Sequence, residues 1–154
     1  LGGYLAALFA YQHPERVQRL ILLCPGFGLA ERWPALLGSA AFHQWRHEGR
    51  LPFTNGAGAL EWVHWRFIEE ASEHPAWPVP LCPTLIIHGR QDETVPIAGS
   101  REIANLHANI ELFEVEDDHG LVDSLPLIER ACELFLLQQV PLSSVHAALG
   151  SSAN

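Results

Sequence analysis

The chain has 154 residues, 48% of them hydrophobic and 18% charged, which is enough to bury one ordinary globular core. Eighteen acidic against nine basic residues give a formal charge of −9, and the two signs are interspersed without a basic block. That pattern excludes phosphate-driven nucleic-acid binding, and no apolar run approaches the roughly 18–20 residues that span a bilayer.

Residues Gly2 to Gln12 predict a helix, with Leu5, Leu8 and Phe9 at helical spacing and Ala6, Ala7 and Ala10 allowing close packing. His13-Pro14 ends it, because the residue before a proline is pushed out of the α region. Val17 to Cys24 predicts a strand buried on both faces, stopped by Pro25-Gly26. Residues 27–77 change in character. They hold all five tryptophans, and Pro34, Pro52 and the Asn55-Gly56-Ala57-Gly58 stretch interrupt them. Helices are expected at about Ala35–His47 and Ala59–Ser72. Pro83 to Gly89 predicts a second buried strand, followed by a loop through Asp92 to Pro96 and a helix over about Ile97–His107. Asn109–Val115 predicts a third strand, with the Glu116–Gly120 loop at its carboxyl end and a final helix from Leu121 to Gln138.

Helices alternating with such strands predict an α/β fold with a parallel sheet. Ligands of open α/β sheets sit at the carboxyl ends of the strands, and Asp92 and His119 both fall just after one. The opening Leu1-Gly2-Gly3 matches the second half of G-x-S-x-G-G, the strand-to-helix turn that presents a serine nucleophile. Together with Gly89-Arg90-Gln91-Asp92…Val95-Pro96 and Asp117-Asp118-His119-Gly120, it gives a Ser…Asp…His order. In these motifs the chain resembles the α/β-hydrolase family, small bacterial esterases in particular, over about residues 1 to 138.

The resemblance implies the C-terminal part of that fold, beginning just after the nucleophile. The absence of any methionine points the same way. Residues 1–26 and 78–140 would be the hydrolase core, 27–77 a helical cap or lid, and 141–154 a flexible tail. An N-terminal half of the same fold would be the expected partner. The implied activity is cleavage of a carboxylic ester or other acyl bond of a small molecule by a Ser-His-Asp mechanism, with this chain alone inactive. His119 would be the general base and Asp92 its orienting acid. The Leu1 N–H would be one oxyanion donor, and Trp33, Trp45, Trp62 and Trp65 would line the substrate pocket. Two alternatives stay open: an Asp or Cys nucleophile on the same fold, or a hydrolase-like binding domain without catalysis.

Other candidates read as structural. Asp117 and Asp118 adjoin His119 and are expected to be solvated, and His88, at a strand end, to be structural. His43 and His47 stand four apart, but Gln44 takes the place of the glutamate of a zinc-protease helix and no third ligand is evident. No metal or cofactor is expected. Cys24, Cys82 and Cys132 are odd in number and far apart, which suits free thiols in a reducing, cytoplasmic setting. Cys24 reads as a small buried hydrophobe at a strand end.

Overall fold

The computed structural model describes residues 1–55 and 57–137, so the expected tail at 141–154 lies outside the described residues. Contacts divide the chain into two compact units, one of Leu1–Phe27 with the residues from Pro78 onward, the other Gly28–Trp77.

The first unit is built on a parallel sheet of three strands, β1 (Leu20–Leu23), β4 (Thr84–Gly89) and β5 (Ile110–Val115), in the order β1-β4-β5. Leu20 pairs with Thr84, and Thr84 in turn with Ile110. β4 is central and buried at every position. Its side chains alternate between faces, as the period of two requires. Ile86 joins Tyr4, Ala7 and Leu8 of α1 (Gly2–Gln12), Leu22 of β1 and Ile103 of α5 (Ala98–Leu106) in one apolar cluster. Leu85 and Ile87 join Val115, Leu121 and the Ile128, Ala131 and Phe135 face of α6 (Leu125–Leu137) in the other. Each of these aliphatic side chains contributes about 1.5–3 kcal/mol by leaving water.

Two details differ from the sequence reading. β1 is not buried on both faces: only Leu22 is enclosed, because β1 pairs with β4 alone. α1 buries Tyr4, Ala7 and Leu8 and turns Leu5 and Phe9 outward. The small side brings the helix close to the sheet: a Cβ on Gly3 would stand 3.0 Å from Pro25. The resemblance implied no more than a C-terminal portion of the fold with open sheet edges; the described residues instead pack a buried apolar cluster on each face of the sheet, one with α1 and α5 and one with α6.

The Gly28–Trp77 unit is not the purely helical insertion expected. It contains α2 (Leu29–Leu37), α3 (Ser39–Glu48) and α4 (Arg66–Ser72), but also an antiparallel ribbon of β2 (Arg50–Thr54) and β3 (Leu60–His64). Asn55 makes the ribbon's turn. Its Oδ1 accepts the N–H groups of Ala57 and Ala59 at 2.9 and 3.0 Å. Asn55 and Ala59 close the ladder with a backbone bond of 2.8 Å. Inside, Trp33 meets Trp45, Phe53 and Phe67 edge-on, and Trp45 meets Trp65 in the same way. Trp45 is fully enclosed, and its indole N–H donates to the Val63 carbonyl at 2.9 Å. Edge-on rings suit the aromatic quadrupole and add roughly 0.5–1.5 kcal/mol per pair beyond burial.

Candidate active site

Three strand ends converge on one rim, because parallel strands finish on the same side of their sheet. β1 ends at Leu23 with Cys24 just beyond it, β4 at Gly89 with the Asp92 loop beyond it, and β5 at Val115 with the His119 loop beyond it. The two loops are stitched together by backbone. Arg90 N–H donates to the Val115 carbonyl and Gln91 N–H to the Asp117 carbonyl, both at 2.9 Å. This approach requires Gly89, where a Cβ would overlap the carbonyl oxygens of Asp117 and Asp118.

Asp92 is the hub. Its Oδ1 accepts the N–H groups of Thr94 at 2.9 Å and Val95 at 2.7 Å, an Asx turn that fixes the carboxylate plane. Its Oδ2 stands 2.7 Å from His119 Nδ1. A carboxylate only accepts, so Nδ1 carries the proton and Nε2 of the neutral ring is left as the base. Burial pushes the Asp92 carboxyl up. Hydrogen bonds from Val95, His119 and Cys24 outweigh that and hold it below its ordinary range. His119 is half-exposed while the Asp92 side chain is fully enclosed, so the pair presents a reachable imidazole on a buried anion.

Asp117 has a different job. Its Oδ1 takes the Asp118 N–H and its Oδ2 the Ser124 N–H, both at 2.8 Å, which shapes the loop that carries His119. The expectation that Asp117 is solvated is therefore corrected: it is buried and serves the backbone.

Cys24 does more than fill space. It follows β1 with a positive φ of 42°, an unusual conformation for a non-glycine residue and one found at functional turns. Its thiol lies within 4.8 Å of an Asp92 carboxylate oxygen, and burial pushes it up to about 11. A Gly89 backbone hydrogen bond offsets this in part, and the Asp92 carboxylate adds to it. The thiol, a ring nitrogen of His88 and a carboxylate oxygen of Asp92 all lie within 4.8 Å of one another, and all three residues are buried. By distance they could be metal ligands. By hydrogen bonding they are already committed: both His88 nitrogens and both Asp92 oxygens have protein partners. The sequence signal for Cys24 was its place on the rim that also holds Asp92 and His119. Its apolar neighbours masked it.

Trp33, Trp45 and Trp65 pack against one another as the core of their own unit, while Trp62 is half-exposed with Arg50 over its ring at 4.5 Å. Leu1 caps α1 and is exposed. His43 and His47 lie on α3 and belong to no cluster of three candidate ligands among the described residues. No described helix is long and apolar enough to cross a membrane.

Residues 1–136 match the model of the "Uncharacterised protein family (UPF0227)". The chain belongs to this family. It is also similar to mouse palmitoyl-protein thioesterase ABHD10, a mitochondrial protein, with 31% identity over 110 residues, 68% of this chain and 37% of the relative. The structure of mouse alpha/beta hydrolase domain-containing protein 10 superposes with a TM-score of 0.68 at 26% identity, covering 86% of this chain and 57% of that one. Est1E from Butyrivibrio proteoclasticus shares the fold at 22% identity, with a TM-score of 0.64, covering 88% of this chain and 56% of its own. The chain thus spans little more than half the length of these solved relatives.

These findings support the α/β-hydrolase resemblance and correct what was attached to it. The site is not the one expected to lack any nucleophile-type side chain. This UPF0227 chain itself brings a nucleophile-type side chain, Cys24, into one buried cluster with a histidine and an aspartate. The geometry favours the alternative reading, a hydrolase fold with a cysteine in the cluster.

Proposed function

We propose that this chain is a hydrolase of the α/β-hydrolase fold that cleaves acyl bonds through Cys24, with Asp92 and His119 as its acid–base pair. The observation that carries the reading is that the Cys24 thiol lies in one buried cluster with His88 and Asp92, within 4.8 Å, and that the same Asp92 binds the His119 imidazole at 2.7 Å. In the reaction the Cys24 sulfur attacks the acyl carbon, and its proton passes to His119 Nε2. The imidazolium, stabilised by Asp92, returns that proton to the departing alcohol or thiol. Water, deprotonated by the same imidazole, then releases the acid and restores the thiol. A thiol held up to about 11 is protonated at neutral pH, so proton transfer to His119 must accompany attack.

Pro25 follows Cys24 and has no N–H, so the oxyanion donor must come from elsewhere. Leu1 at the start of α1 is proposed for it, supported by the close approach of Gly3 to Pro25. Of the four tryptophans expected to line a substrate pocket, Trp62 alone is kept for that proposal, because it is half-exposed while Trp33, Trp45 and Trp65 form the core of the Gly28–Trp77 unit. The thioesterase activity in the name of the mouse relative supports an acyl ester or thioester as substrate. Three free thiols support a reducing, cytoplasmic setting.

The test is turnover of p-nitrophenyl butyrate and a short acyl thioester by the full chain and its variants. His119→Ala is expected to lower kcat by about 10²–10⁴, and Cys24→Ala to abolish turnover. Full activity in Cys24→Ala would overturn the thiol mechanism. A second reading, a hydrolase-like binding domain, is favoured by the burial and raised protonation of that thiol. It predicts acyl-ligand binding with no turnover in any variant.

A further inference from the structure

His88 is enclosed completely on the central strand, and both its ring nitrogens are occupied. Nε2 lies 2.8 Å from the Val95 carbonyl and Nδ1 2.8 Å from the Ser100 hydroxyl. The Val95 carbonyl can only accept, so Nε2 bears the proton, and the neutral ring's bare Nδ1 accepts from Ser100. The same Nε2–H stands 3.2 Å from Asp92 Oδ2, the oxygen that receives His119. Ser100 is itself buried on α5, so the line Ser100–His88–Asp92–His119 runs from a helix through the sheet to the exposed imidazole.

We propose that His88, fixed by Ser100, is a positioning residue for the acid–base pair. It holds the Val95 carbonyl, and with it the turn whose N–H groups clamp Asp92 Oδ1. Its ring also stands against Oδ2 on the inner side, Nε2 at 3.2 Å, while His119 donates to that oxygen from the outer side. The carboxylate then has one rotamer, and His119 one tautomer. The inference rests on the catalytic pairing of Asp92 with His119, but its physical content, control of the His119 tautomer, can be read without turnover.

The experiment compares Ser100→Ala, His88→Leu and the conservative His88→Gln in the full chain. Near-UV circular dichroism reports folding, nitrogen-15 NMR the His119 tautomer, and p-nitrophenyl butyrate the kinetics. In folded Ser100→Ala and His88→Leu, the His119 Nδ1–H form is expected to lose its dominance. kcat should fall at least tenfold with KM held within twofold, and His88→Gln should recover most of both. If His88→Leu does not fold, Ser100→Ala decides alone. A folded Ser100→Ala or His88→Leu chain with an unchanged His119 tautomer overturns the proposal. Should the parent chain show no turnover, the acyl-hydrolase reading fails and the tautomer readout still judges His88.

Discussion

Gly89 is the position where the acid loop and the histidine loop touch. Any side chain there meets two backbone carbonyls, which cannot swing aside as a flexible side chain can. Gly89→Ala is expected to cost about 1–3 kcal/mol, the usual cost of overpacking, measured as a lower thermal midpoint. It should also displace His119 from Asp92, and a variant with unchanged stability would contradict the account. The contact of Asp92 with His119 was legible in the sequence because each lies a short loop beyond a strand, and parallel strands end together. Cys24 was not legible, because a thiol among Leu22, Leu23 and Pro25 is indistinguishable from a small hydrophobe until Asp92 is placed beside it. His88 was read as structural, and its partners at Val95 and Ser100 emerge only once the following loop and helix fold back.

At the scale of elements, α5 and β5 are tied by charge as well as by apolar burial. Glu114 on β5 bonds Arg101 on α5 through both carboxylate oxygens at 2.7 Å, and Arg90 at 2.7 Å. Hydrogen bonds from Arg101 lead in drawing the Glu114 carboxyl down to about 2, against burial and with help from Arg90. A carboxyl lowered on folding stabilises the fold above its unfolded value and loses that contribution as pH falls through its folded value. Stability due to Glu114 is therefore complete above about 4.5 and is lost as pH falls toward about 2. Glu114→Gln should flatten denaturant stability across that window. A parallel acid loss in both proteins would contradict the assignment. The β2–β3 ribbon escaped the sequence reading because Pro52, which has no N–H, speaks against a strand and the tryptophans suggested a helix face. Pro52 instead pairs opposite Trp62 in a ribbon that has only two strands and so tolerates a missing donor. Asn55→Ala removes the acceptor of two turn N–H groups and is expected to cost about 1 kcal/mol, read as a lower midpoint without a change in the sheet unit.

For the whole molecule, the division at Gly28 and Trp77 follows from chain path and composition. Gly28 has a φ of 64°, its N–H donates to the Ala76 carbonyl at 2.9 Å, and the aromatic residues between find partners among themselves. The change in composition after Pro25-Gly26 made that segment visible in the sequence, but its ribbon was not. The burial that raises Cys24 also sets an alkaline limit. A group whose value is raised on folding contributes stability below its unfolded value and loses it as pH rises through its folded value. The chain should lose stability between about 9 and about 11, and Cys24→Ala should reduce that loss, burial of Cys132 and Tyr4 supplying the remainder. An identical alkaline limb in both would contradict the burial argument.

The most direct measurement of the central claim is intact-mass spectrometry and peptide mapping of the full chain quenched during reaction with an acyl thioester. One acyl group is expected on Cys24, absent from the Cys24→Ala variant and blocked by prior alkylation of that thiol. An acyl group on any other residue, or turnover with Cys24 never modified, would contradict it.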